Sequence, residues 1–205
     1  HIVESALIER ARPLWLACNA TKGLVTAVAL QYWSGRTRIL GDWAYELEPA
    51  EAVPLLTREV GMAFQKAPIV CCGMAHYDRY MNIGLVQAFQ RVPLTVESGA
   101  DPGAGRTWLR GELGRLTREA PAVQISREAK LTLNALAGGY ARMLGRSGAL
   151  GDEAEPGIYR VLMEGLEACL GRMAVDEEVD SNANYSYTPD GRRYQRYGNP
   201  HQRRA

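Results

Sequence analysis

The 205-residue chain carries 24 Lys and Arg against 23 Asp and Glu, a formal net charge of +1, with 46% apolar and 23% charged residues. That apolar content supports one packed domain with a real core and excludes wholesale disorder. The near-neutral balance excludes a broad basic field as the means of holding nucleic acid, so such a role must rest on a local groove or on partners.

In chain order, residues 1–12 have helical spacing (Ile2, Ala6, Leu7, Ile8) up to Pro13 and predict a linker helix. Leu14 to Asn19 is a compact apolar strand, and Thr21-Lys22-Gly23 is a turn. Val25 to Trp33 is a second strand, Ser34-Gly35 a second turn, and Arg36 to Tyr45 a third strand, which together make an antiparallel meander. Pro49 opens a helix to about Lys66 with Val53, Leu56, Val60 and Phe64 on one face. Pro68 to Ala75 is a short buried strand, and Asp78 is placed to cap the next helix, which carries Ile83, Val86 and Phe89. A strand over Pro93 to Glu97, a glycine-rich loop to Gly105, a helix over Thr107 to Glu119 and a strand over Ala122 to Ile125 follow. Ser126 caps a helix expected to run to about Leu144. A loop rich in glycine and acid, Gly145 to Gly157, leads to a last helix over Ile158 to Met173.

The division this implies is a linker helix at 1–12, a domain at 13–174 and a polar, disordered tail at 175–205. Three antiparallel strands, a helix, a strand and then alternating helices and strands is the element order of a ribonuclease H-like α/β fold: a mixed sheet, antiparallel meander first and parallel strands after, flanked by helices. The apolar runs Leu14–Asn19 and Ile69–Gly73 are expected as adjacent parallel strands at the sheet centre. Cys18, Cys71, Cys72 and Cys169 form no CxxC pair and sit in apolar runs, as buried free thiols of a reducing compartment do. No apolar run is long enough to span a bilayer, and no signal peptide is expected. The chain opens on His1 rather than Met, as expected of a piece of a longer protein.

Four segments resemble the C-terminal nuclease domain of phage terminase large subunits, over roughly Pro13 to Met173. PLWLACNATKGLVTAVALQYW is similar to that family's first hairpin. IVCCGMAHYDRYMNIGLVQAFQRVPLTVESG is similar to its second metal strand, the following helix and the next strand. AVQISREAKLTLNALAGGYARM matches a short strand and helix, and IYRVLMEGLEACLGRM takes the place of the final helix. The resemblance implies a metal-dependent endonuclease of viral DNA packaging, working on double-stranded DNA in the cytoplasm of an infected or lysogenic host cell. It also implies an ATPase domain N-terminal to this piece, since GxxxxGK[ST] is absent here, and a portal and a small terminase subunit as partners. Mg²⁺ or Mn²⁺ would be the cofactor, two ions about 4 Å apart clamped by carboxylates.

The acids of that pattern are largely replaced. The first metal Asp falls on Asn19, the second on Gly73 and the third on Glu164, with the family's nearby His at about Tyr159 or Arg160. Asn19 is a residual ligand, an engineered replacement for the family's Asp, or a turn residue before Lys22-Gly23. Glu164 is either a ligand or part of a solvated face with Glu167 and Arg160. Asp78 and His76 follow the second metal strand and are candidates to replace the missing acid; Asp42 and Glu46 rank below them. The candidate catalytic set is therefore Glu164, Asn19 and Asp78, and the candidate metal set Asn19, Glu164, Asp78 and His76. Lys22, Arg79, Arg106 and Arg110, with Lys66, are candidates for a DNA groove. The tail interleaves arginines with Tyr185, Tyr187, Tyr194 and Tyr197, a pattern suited to phosphate contact and base stacking or to docking on an acidic protein ring. Two further functions stay open: a catalytically inactive pseudo-nuclease serving as a DNA-binding or portal-docking module, and another ribonuclease H-like protein of the resolvase or transposase kind.

Overall fold

A computed structural model of the chain describes residues 1–4, 8–33, 36–73, 79–115, 121–140, 142–144, 150–154, 157–183, 185–187 and 193–195. The chain divides into two units, His1–Arg172 and Met173–Ala205.

The first unit is built on a seven-stranded sheet. Strand β2 (Trp15–Thr21) pairs antiparallel with β3 (Leu24–Trp33), which pairs antiparallel with β4 (Arg36–Tyr45). Thr21 faces Leu24, leaving Lys22-Gly23 as a two-residue loop, and Gly23 takes φ 69°, the positive value such loops demand. Helix α1 (Pro49–Phe64) starts with proline in its first turn and ends on Gln65 in the left-handed region. Strand β5 (Ile69–Cys72) then returns parallel to β2, with Trp15 facing Ile69 and Cys18 facing Cys72. Helix α2 (Arg79–Phe89) leads to β6 (Thr95–Ser98), parallel to β5. Helix α3 (Pro102–Gly114) leads to β7 (Val123–Ser126), parallel to β4. The order across the sheet is β1-β7-β4-β3-β2-β5-β6, where β1 is Ile2–Val3.

This is the mixed sheet that the element order predicts. The runs β2 and β5 are adjacent, parallel and internal, as expected of strands buried on both faces; the middle position, however, belongs to β3. Side chains alternate across β2. Leu14, Leu16, Cys18 and Ala20 face one way, into the core formed with Ala52, Val53, Leu56 and Val60 of α1 and Leu85 and Phe89 of α2. Asn19 faces the other way, toward the last helix, α5 (Ile158–Ala183).

Several expectations are corrected. Ile2–Val3 form an edge strand parallel to β7 instead of starting a helix. Helix α3 begins at Pro102, where Asp101 accepts a hydrogen bond from the Gly103 amide, so the glycine-rich segment holds a helix start as well as a loop. The helix expected to reach Leu144 is short. It comprises α4 (Lys130–Asn134) and one π-helical turn (Ala135–Gly139), ended by Gly138 at φ 130°. Strand β8 (Arg142–Leu144) follows and pairs antiparallel with β9 (Leu150–Ala154). In the second unit α5 continues to Ala183, and two short strands, β10 (Tyr185–Tyr187) and β11 (Arg193–Gln195), pair antiparallel within the segment expected to be disordered.

Candidate functional site

Strands β2, β4, β5, β6 and β7 all run the same way, so their carboxyl ends share one end of the sheet. Crevices at that end are where ligands gather on sheets with parallel strands. Asn19, near the end of β2, is 1% exposed. It is not a turn residue: the turn is Lys22-Gly23, and Asn19 is paired in the ladder opposite Thr26. Its carboxamide is engaged on both sides. Nδ2 donates to the carbonyl of Val161 on α5 at 3.0 Å, and Oδ1 accepts from the Ala20 amide at 3.0 Å. One partner can only accept and the other can only donate, so the partners fix the orientation of the amide.

Gly73 follows β5 and donates its amide to Cys18 O at 2.7 Å. A Cβ at position 73 would lie 3.3 Å from the Gly165 Cα and 3.5 Å from the Asn19 Cγ. Asn19, Gly73 and the α5 turn containing Glu164 and Gly165 therefore share one end of the sheet. The Glu164 carboxylate accepts from Arg160 Nε at 2.9 Å, with side chains 16% and 13% exposed. His76 and Asp78 lie outside the described residues.

These residues do not fit Mg²⁺ or Mn²⁺. Two such ions bring +4 and select anionic oxygens. Position 19 offers a neutral amide with both ends engaged, position 73 offers no side chain, and the carboxylate of Glu164 is already balanced by a guanidinium. Among the described residues no group of three or more His, Cys, Asp or Glu side chains is placed to hold a metal ion.

Asp42, ranked lower by sequence, faces the same side of the sheet as Asn19 and accepts from the Thr132 amide at 2.6 Å. Burial pushes its carboxyl up, and the hydrogen bonds from Thr132 and Leu131 pull it back. Its role is to hold α4 to β4. With Tyr45, Glu59, Glu128 and Lys130 it lines a cleft of about 650 Å³.

The basic candidates separate. Lys22 is exposed at the β2–β3 turn, on the same end of the sheet as Asn19, and Arg110 is exposed on α3. Arg79 is the first residue of α2. Lys66 lies before β5, at the opposite end, and donates to the Arg10 carbonyl at 2.7 Å. Arg106, half-buried, is ion-paired within the protein. Its Nε donates to both carboxylate oxygens of Glu167 at 3.1 Å, and Nη2 donates to Glu167 Oε2 at 2.9 Å and to Tyr140 Oη at 3.0 Å.

Glu167 is likewise not part of a solvated face; it is 1% exposed. Burial pushes its carboxyl above the ordinary range and Arg106 pulls it back. The Arg106 guanidinium is held in its charged form chiefly by its hydrogen bonds to Glu167. The Tyr140 hydroxyl, which donates to Glu167 Oε2 at 3.3 Å, is pushed up to about 12, first by burial and then by the Glu167 charge. Sequence reasoning missed this cluster. The available signal was the setting of Glu167 in LEACL, an acid with apolar neighbours on both sides.

No protein-family model matches the sequence, and no curated protein matches it. Solved structures do. The large terminase of a thermophilic bacteriophage, in complex with ATP-gamma-S, superposes with TM-score 0.62 at 12% identity over 83% of this chain. The P22 large terminase nuclease domain gives 0.55 at 10% identity, covering 86% of this chain and 87% of that one. The nuclease domain of the bacteriophage SPP1 large terminase, g2p, solved with bound Mn, gives 0.52 at 10% identity, covering 86% and 96%. The chain spans 42% of the length of the thermophilic phage's terminase. Its fold is that of the phage large-terminase nuclease domain, ribonuclease H-like, as the four matching segments imply.

Proposed function

We propose that the chain is the nuclease-type domain of a phage large terminase, acting in viral DNA packaging as a module that does not cleave DNA by itself. Residues 13–174 would form this domain and 175–205 its tail, with an ATPase domain preceding it in the full protein and portal and small subunit as neighbours, in the host cytoplasm. Among the described residues no helix is long and apolar enough to cross a membrane.

One observation carries the non-cleaving reading. Of the three positions where the resemblance puts acids, Asn19, Gly73 and Glu164, one holds a carboxylate, and that carboxylate is paired with Arg160. Phosphodiester cleavage by metal ions needs ligands that hold the attacking and leaving oxygens in one clamp. A neutral amide, a glycine and a neutralised glutamate would leave the ions in their hydration shells. Contact with double-stranded DNA would then rest on exposed cations such as Lys22 and Arg110, with Arg79 at the start of α2. Few such charges means weak binding that falls as salt rises.

A supercoiled-plasmid assay with Mn²⁺ tests this. The unmodified chain and Glu164→Ala are expected to leave the plasmid equally intact. Mn²⁺-dependent nicking that Glu164→Ala abolishes would reinstate an active nuclease at this site. Nicking that survives Glu164→Ala would place the active site elsewhere.

A further inference from the structure

We infer that the Asn19 carboxamide is a latch that clamps α5 onto the ends of β2 and β5, filling with protein atoms the place where a metal-binding carboxylate cluster would have to form. This deepens the non-cleaving reading and rests on it, because it names what closes the site.

Where α5 crosses the strand ends, small residues at 165, 168 and 171 let it approach closely. Val161 offers its backbone carbonyl to Asn19. One turn on, a Cβ at Gly165 would lie 2.9 Å from the Asn19 Cβ and 3.4 Å from its backbone nitrogen, so only a glycine lets α5 approach β2 this closely. Further along the same face, Ala168 accepts from the Ala100 amide at 2.9 Å. A Cβ at Gly171 would lie 3.2 Å from Asp101 O and 3.2 Å from Gly105 N. Positions 161, 165, 168 and 171 follow helical spacing and make one seam. Asn19 is the only side chain described as hydrogen-bonding α5 to β2 across it.

The residue type at 19 follows from the bonds it makes. The side chain must donate to Val161 O and accept from Ala20 N, which asparagine does and an ionised aspartate cannot. An aspartate carboxylate at this position would keep the bond from Ala20 but set its second oxygen against the Val161 carbonyl, acceptor on acceptor, in a buried place. The carboxylate a nuclease needs here and the closed seam observed here are therefore mutually exclusive. Position 73 is tight in the same place: a Cβ there would lie 3.3 Å from the Gly165 Cα, so α5 would have to give by a few tenths of an ångström.

Amide hydrogen exchange on the full chain tests the latch. Asn19→Asp, which keeps the shape and removes the donor, and Asn19→Ala, which adds no buried charge, are each expected to speed exchange across Val161–Gly165 by about tenfold, the factor matching one lost buried hydrogen bond. Exchange in α1 should stay as in the unmodified chain. In the unmodified chain, millimolar Mn²⁺ should leave the α5 pattern unchanged. Equal protection of α5 in whichever of the two variants folds would overturn the latch, and so would Mn²⁺-induced protection of α5 in the unmodified chain. Plasmid nicking is read separately: it would sink the non-cleaving reading, whereas unchanged exchange without nicking would sink the latch alone.

Discussion

Gly105→Ala is expected to abolish most of the cooperative thermal transition, while Gly111→Ala, two turns along the same helix, should raise it slightly. Gly105 lies in the first turns of α3, where the helix crosses α5. A Cβ there would fall inside the van der Waals envelope of the Glu167 carbonyl oxygen, 2.5 Å from its carbon and 2.9 Å from Gly171 N. All of these are backbone atoms, so no rotamer change relieves the overlap; α3 has to move away from α5. That movement pulls Arg106, the next residue, off Glu167, and it strains the bond from the Ala100 amide to Ala168 O. The cost belongs with the rare substitutions beyond about 4 kcal/mol. At Gly111 nothing lies within 4 Å of an added Cβ, so alanine there gains about 0.5–1 kcal/mol of helix propensity. Circular dichroism melts of the three proteins decide it. A Gly105→Ala midpoint within about 2 °C of the parent would mean that α3 and α5 do not meet this closely.

The meander and the β2–β5 pairing were legible because their signals are local. Continuous apolar runs mark strands buried on both faces, and the glycine of Lys22-Gly23 between two such runs marks a tight turn. The alternation after β5 fixed the rest of the sheet through the handedness and shortness of crossovers. The helix after β7 was overextended because Leu131, Leu133, Leu136 and Tyr140 keep helical spacing through a Gly138-Gly139 pair that breaks the backbone. At the site, the places of Asn19 and Gly73 came from matching segments, but their chemistry did not. Whether an asparagine is a ligand, a turn residue or a latch depends on a carbonyl 142 residues away. Arg106 shows the same limit: an arginine on a helix reads as solvated until the structure brings a carboxylate from 61 residues away against it.

That pair supports the second large effect. Arg106→Met should destabilise the domain by about 3–5 kcal/mol at neutral pH, the usual result of stranding one buried partner of an ion pair. Glu167 would stay buried and, among the described residues, only the Tyr140 hydroxyl would remain to meet its charge. The double variant Arg106→Met/Glu167→Leu should recover much of the loss, because apolar groups of similar volume often replace a buried pair at little net cost. The single variant should also depend on pH in a definite direction. Its Glu167 carboxyl, already raised by burial in the parent, loses the cation that pulled it back, so the folded state holds its proton more tightly than the unfolded chain does. Stability then falls as pH rises from the ordinary carboxylate range through the folded value, and the deficit shrinks on acidification. Urea titrations of parent, single and double variants at neutral pH and at about pH 5 measure all three quantities. A single variant as stable as the parent, or a deficit that grows on acidification, would show that the Arg106–Glu167 pair does not hold α3 to α5.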